Sequence, residues 1–375
     1  MLTSACAESG DDAGDDGAFV VYASVGLSGG DSGFAPSIEA GIEAAIAEIN
    51  ENGGLLGREV RLETDNNESD PTKAVSLLQD RIRDSAPDLV WAGTASSESL
   101  ALQSLTTREE IMALNNGSAP ELGDASLFPY AFSAGVRLQS AAEYLATTVV
   151  DEGYQNIGII AGDDPAGEAA MSLYEDAFED AGLDVATESY EAEAVEVDGP
   201  LARLAESDPD VVIFNSTYQA EPVLKSRIKV GMEDVPFIGD VSTTIRSLDE
   251  TLNDAEKSGV ELMSYNVNAS TADSPGVTNL LASLDAAGET PETALYLYAL
   301  GYDPILAYAN AVESVGSTDV TEVRAAMEAG EGDTYELSLS DDPGWSETDH
   351  LASGEGRFTI IPVAPLVAGQ FQIAE

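Results

Sequence analysis

From residue 18 onward, short and wholly apolar runs alternate with longer stretches in which apolar residues recur every three or four positions. Residues 19–23 (Phe-Val-Val-Tyr-Ala) read as a buried strand, and 36–50 as a helix whose Ile38, Ile42, Ala45, Ile46 and Ile49 share one face. Asn52-Gly53-Gly54 stops that helix. Strands follow at 60–64, 88–92 and 111–114, with a helix over 71–84. The rhythm then restarts with a helix at 140–152, a strand at 156–161, a helix at 166–181 closed by Gly182, and strands at 184–187, 211–214 and 236–239. Residues 259–265 read as a segment crossing back toward the first half, followed by helices at 277–288, 294–315 and 320–329. The tail offers strands at 357–361 and 368–373 that periodicity assigns to neither half.

Strand and helix alternation of this kind predicts an α/β chain of two doubly wound parallel-sheet lobes joined by crossing strands. Open parallel sheets bind ligands beyond the carboxyl ends of their strands. The turns after Ala92, Leu114, Ala161, Phe214 and Gly239 are therefore expected to line a cleft between the lobes.

A length of 375 residues suits two cores, and 43% hydrophobic residues suffice to fill them. Charge changes the picture more. Fifteen Lys and Arg face 69 Asp and Glu, a formal net charge of −54. Such a surface repels nucleic-acid phosphates and anionic headgroups, which excludes nucleic acid as a partner. The acids are spread along the whole chain, not gathered into a tail, and the self-repulsion they cause is relieved when molar salt shortens the screening length to roughly 3 Å. This composition predicts a halophilic protein.

The chain has one cysteine, Cys6, and one histidine, His350. Within a single chain they exclude a disulfide, a Cys/His zinc site and a Cys–His dyad. His350 follows Glu347-Thr348-Asp349 in a Gly- and Ser-rich stretch read as a surface loop. With no GxxxxGK[ST] loop or GxGxxG fingerprint, neither an enzyme nor a cofactor or metal site is expected. Leu2-Thr3-Ser4-Ala5-Cys6 looks like the end of a bacterial-type lipoprotein signal, with Cys6 as the lipidated residue and sole membrane attachment; a stray thiol on an acidic tail is the alternative. Residues 7–17 are an anionic, glycine-rich tether. No run of about 20 apolar residues follows.

Three separated motifs carry a resemblance. They are residues 41–58, with Glu48-Ile49-Asn50 and Gly53-Gly54-Leu55-Leu56-Gly57-Arg58; Ser69-Asp70-Pro71-Thr72-Lys73-Ala74; and Tyr302-Asp303-Pro304. In that order and spacing the chain resembles the type I periplasmic binding proteins of the leucine/isoleucine/valine group over nearly its whole length. The resemblance implies a hinged protein outside the cytoplasm, lipid-anchored or periplasmic, that hands an amino-acid-like small molecule to the permease of an ABC transporter. A sensor of the same fold, or a binder of amides, urea or small carboxylates, stays open. It implies residues 18–138 plus about 266–338 as the first lobe, and 139–265 plus about 339–375 as the second, behind the 1–17 leader.

Carried over residue by residue, the resemblance places a carboxylate-binding hydroxyl at Ser97 and a second hydroxyl at Ser118, with the Asn116 carbonyl toward the ammonium. From the second lobe it places Tyr218 over the ligand and Asp240 opposite its ammonium. Ala166 stands where many relatives have an aromatic residue, which implies a pocket for a ligand bulkier than leucine or shaped differently. Hydroxyls suit a carboxylate and a single acid suits an ammonium on chemical grounds alone. Helix capping is the plainer role for the serines.

Overall fold

The computed structural model describes residues 17–191, 194–216, 220–354 and 356–373. Cys6 and Tyr218 lie outside the described residues, as does the side chain of Ala166.

The first sheet contains β1 (Phe19–Val25), β2 (Val60–Asn66), β3 (Leu89–Ala92), β4 (Met112–Asn115) and β5 (Ala131–Val136), interleaved with helices α1 (Ala35–Glu51), α2 (Pro71–Asp84) and α3 (Ser96–Glu109). The second half opens with α4 (Leu138–Asp151), then β6 (Asn156–Gly162), α5 (Pro165–Asp180), β7 (Asp184–Tyr190), α6 (Asp198–Ala205), β8 (Val211–Phe214), α7 (Ala220–Lys229) and β9 (Phe237–Gly239). The short α8 (Asp254–Lys257) leads into β10 (Val260–Tyr265). Helices α9 (Pro275–Ala287), α10 (Leu295–Val315) and α11 (Val320–Glu328) come next, then β11 (Leu351–Ala352), β12 (Phe358–Pro362) and a hairpin of β13 (Leu366–Val367) and β14 (Gln370–Phe371).

Both sheets have the same strand order. The first runs β2-β1-β3-β4-β5-β11 and the second β7-β6-β8-β9-β10-β12, parallel throughout except for β12, which runs antiparallel to β10. Each is covered on both faces, so the first sheet separates two apolar clusters and the second sheet another two. The chain passes between sheets three times: at Arg137, after Tyr265, and between Ala352 and Phe358. Residues 260–265 are thus the last parallel strand of the second sheet, and the crossing follows them. Placement of everything after 339 in the second half does not hold for β11, which pairs with β5 in the first sheet. A two-residue strand carries too little periodicity to reveal its neighbour.

The motifs that carry the resemblance turn out to be packing and capping devices. Asn50 bonds β2 with both amide atoms, its Nδ2 donating to the Val60 carbonyl and its Oδ1 accepting from the Val60 N–H, each at 2.8 Å. Asp70 caps α2 by accepting from the amides of Thr72 (2.7 Å) and Lys73 (3.2 Å), with Pro71 at the first helical position. A Cβ on Gly41 would overlap the Tyr298 carbonyl, and one on Gly301 the Ile38 carbonyl, so paired glycines set the close crossing of α1 and α10. On the same seam Tyr302 donates to Glu48. Buried Asp303 accepts from Ser338 N (2.9 Å), Ser338 Oγ (2.7 Å) and Leu339 N (2.7 Å), which ties the chain leaving α11 to α10.

The crossings are cross-tied. Arg137 pairs with Asp349 at 2.6 Å, Asn266 N donates to the Arg357 carbonyl at 2.9 Å, and the buried Arg357 guanidinium reaches back to the Ala134 carbonyl (3.4 Å) and Ser340 Oγ (3.0 Å).

His350 is not on a surface loop. Its ring is fully buried and stacked on Phe132 with centroids 4.0 Å apart. Nδ1 lies 2.9 Å from the Ala131 carbonyl and Nε2 3.0 Å from Glu328 Oε1. The polar stretch before it misled because its backbone folds onto β5: Ser133 N donates to the His350 carbonyl at 2.8 Å, and His350 N to the Gly123 carbonyl at 2.9 Å.

Candidate ligand-binding site

A cleft of about 430 Å³ opens at the carboxyl ends of the strands of both sheets. That volume lies within the ~300–1,000 Å³ of small-molecule pockets. The turns after Ala92, Leu114, Phe214 and Gly239 contribute Thr94 to Ser96, Asn116 to Ser118, Asn215, and Asp240 to Ser242; α5 presents Ala169, Ala170, Leu173 and Tyr174 beyond the turn after Ala161.

The first-sheet wall is built turn on turn. Asn115 Oδ1 accepts from Gly117 N at 2.9 Å, and Ser133 Oγ donates to the Gly117 carbonyl at 2.6 Å, which folds the β4 turn tightly. Gly135 permits this, since a Cβ there would overlap the Gly117 carbonyl and lie 2.5 Å from that of Asn116. Ser96, the first residue of α3, bridges to the same turn: its Oγ accepts from Ser118 N (3.1 Å) and Ala119 N (3.2 Å). With both lone pairs engaged, the hydroxyl hydrogen is left to donate into the cleft.

Beneath α3, the buried Glu98 accepts from Thr94 N at 2.8 Å, and Thr94 Oγ1 donates to Asp31 at 3.0 Å. Burial, with the Asp31 charge adding to it, pushes the Glu98 carboxyl upward.

The opposite wall centres on Asp240. It is 2% exposed and caps the turn that follows it. Oδ2 accepts from Tyr174 OH (2.8 Å) and Asn215 Nδ2 (2.6 Å); Oδ1 accepts from Ser242 N (3.1 Å) and Ser242 Oγ. Burial pushes this carboxyl upward and the Tyr174 phenol well above its usual range. At the end of the cleft, Tyr265 from β10 and Tyr296 from α10 stack with centroids 4.6 Å apart and planes 11° apart, one ring from each half of the molecule.

Of the residues singled out in the sequence, Ser118, Asn116 and Asp240 meet in this cleft. Ser97 does not: its side chain is exposed on the outer face of the first turn of α3, and its neighbour Ser96 points inward. The Asn116 main-chain carbonyl packs against Gly135, while its side chain donates to the Thr94 carbonyl at 3.0 Å. Tyr218 and the Ala166 side chain lie outside the described residues. Sequence reasoning missed Ser96, Tyr174, Asn215, Tyr265 and Tyr296. Asn215 had a usable signal, a polar residue ending an apolar strand; Tyr296 is hidden in the apolar run of α10.

Residues 23–362 match the model of a family described as periplasmic binding protein. No curated protein matches the chain. Among solved structures, a putative branched-chain amino acid ABC transporter protein from Rhodospirillum rubrum aligns over 95% of this chain and 100% of its own, with 18% identity and a TM-score of 0.73. A type 1 periplasmic binding protein from Bordetella pertussis covers 92% and 96% at 16% identity and a TM-score of 0.71. A leucine binding protein from Thermotoga maritima covers 82% and 87% at 16% identity and 0.64. With two like-ordered parallel sheets, three crossings and a cleft at their shared carboxyl ends, the chain belongs to the periplasmic binding protein family and has the type I fold.

Proposed function

We propose that the protein captures a small carboxylate-bearing solute, an amino acid or a relative of one, in the cleft and delivers it to the permease of an ABC importer by closing one half onto the other. The observation that carries this reading is the Ser96 hydroxyl, held with its hydrogen free beside Ser118 on one wall and facing the Tyr174–Asp240–Asn215 cluster on the other. A ligand touching both walls stabilises the closed arrangement, which is the form a transporter can read. The hydroxyls and aromatic rings that line the cleft support a binding role.

The protein works outside the cytoplasm, attached by lipid at Cys6, in surroundings salty enough to screen its charge of −54. Among the described residues no helix is long and apolar enough to cross a membrane.

The test is thermal unfolding in about 2–3 M salt against the twenty amino acids, short amides, urea and small carboxylates. A ligand at 100 times its dissociation constant adds about 2.7 kcal/mol, enough to raise the midpoint by several degrees. A shift confined to one chemical class is expected. If protein that is demonstrably folded responds to none of them, solute capture by this cleft is wrong.

A further inference from the structure

We infer that the solute is a carboxylate with a broad apolar or aromatic body and no ammonium group beside the carboxylate. This deepens the proposed capture role and rests on it.

Asp240 is the sole formally charged residue among the described residues lining the cleft. A carboxylate has about four acceptor sites. Here all four are taken by the protein itself: Tyr174 OH and Asn215 Nδ2 on one oxygen, Ser242 N and Oγ on the other. An incoming ammonium would have to displace one of these bonds in a buried place, leaving a donor unpaired. Asn116 offers little more: its main-chain carbonyl packs on Gly135, and its unpartnered Oδ1 is sealed from solvent.

Donors are arranged the other way. The Ser96 hydroxyl, fixed as a donor by the two amides it accepts from, stands at the first turn of a 14-residue helix, where the partial positive charge of the helix end favours an anion. Among its described residues the cleft thus has a place for a negative group and none prepared for a positive one.

The body of the ligand is read from the remaining wall. The Tyr265–Tyr296 stack continues into Phe34, Leu173, Ile245 and Leu300. A flat or bulky apolar group packs there, whereas an ammonium beside the carboxylate would lose its water without gaining a partner.

Matched pairs test this on the unaltered protein. Isothermal titration in about 2–3 M KCl compares 3-phenylpropionate with phenylalanine and 4-methylpentanoate with leucine. The amine-free member of each pair is expected to bind at least about tenfold tighter, and the phenyl pair tighter than the aliphatic one. An amino acid that binds as tightly as its amine-free partner overturns the inference and leaves solute capture standing. Absence of binding by all four compounds to folded protein overturns the inference and, if the wider solute screen is also silent, the capture role with it. As a second reading, Tyr296→Ala should weaken 3-phenylpropionate by about tenfold while changing acetate binding by less than about threefold. Equal losses for both would mean the ring does not hold the apolar body.

Discussion

Replacing Ser96 separates two placements of the carboxylate donor that differ by a single position. The Ser96 Oγ joins the β3 and β4 turns by accepting from Ser118 N and Ala119 N, and its hydrogen faces the cleft. Ser96→Ala removes one hydrogen bond to a charged ligand, worth about 1.5–3 kcal/mol, or roughly 10- to 150-fold in Kd. It also strips two half-buried amides of their acceptor. If water replaces it only in part, the folded protein loses a further ~1–2 kcal/mol even without ligand. Ser97→Ala, on the exposed face of the same helical turn, should change affinity by less than about twofold and stability by less than ~0.5 kcal/mol. Titration with the tightest ligand from the solute screen gives the first quantity, and denaturant unfolding at constant salt the second. Loss of affinity in Ser97→Ala with Ser96→Ala unaffected would refute the argument from lone-pair occupancy.

Three other perturbations follow from the packing. His350→Ala leaves the Ala131 carbonyl and Glu328 without their ring partner and opens a void on Phe132, so a loss of about 3–5 kcal/mol is expected in chemical unfolding; under 1 kcal/mol would mean the ring is dispensable. Gly41→Ala forces a methyl into the Tyr298 carbonyl and should cost at least ~2–3 kcal/mol by the same assay, whereas Gly53→Ala meets no neighbouring atom and suffers only from its left-handed backbone. Glu98, Asp240 and Asp303 are all pushed upward by burial from ordinary values of 4.5, 3.8 and 3.8. The folded state therefore holds protons that the unfolded state releases, and their contribution is full below those values and lost as pH rises through the raised ones. Exposed Asp124 and Asp210 shift downward and oppose this only weakly. Tyr22 and Tyr302, held above 10 chiefly by burial, extend the decline past pH 10. Unfolding midpoints at fixed salt should fall as pH rises above the ordinary carboxylate values and again above 10; a fall of stability on acidification toward those values would contradict the sign.

The parts of the fold legible in the sequence are those whose physics is local. Pro71 behind Asp70 announces a capped helix wherever it sits, and the spacing of Ile38, Ile42, Ile46 and Ile49 fixes the buried side of α1 before any partner is known. Helix α3 was illegible for the opposite reason. Its buried positions include Glu98, Ser99, Gln103 and Thr106, so no apolar stripe marks it, and its Ser-Ser-Glu-Ser start imitates a turn. Strand β5, Ala-Phe-Ser-Ala-Gly-Val, interposes Ser133 and Gly135 where a strand prefers branched residues; both are there to seat the β4 turn and β11, partners far away in sequence. The same non-locality explains the site. Ser96 and Ser97 are indistinguishable by composition, and the choice between them is made by Ser118 and Ala119, some twenty residues on.

The family motifs and the binding chemistry occupy different parts of the molecule, and this limits what the family can say about the ligand. Asn50, Asp70, Gly41, Tyr302 and Asp303 fix strand starts, a helix cap and the α1–α10 seam, none of which lines the cleft. They can persist while Ser96, Tyr265 and Tyr296 define a pocket of another preference. The surface charge narrows that preference through its cost. An anionic ligand approaching a protein of charge −54 in dilute buffer meets long-range repulsion, and a cationic one would be drawn to every part of the surface. At molar salt the field fades within roughly 3 Å, so a solute is discriminated only by what it touches. On the reading proposed above, a cleft whose one acid among the described lining residues is occupied by its own neighbours, and whose Ser96 hydroxyl is held as a donor, would favour a carboxylate under that condition.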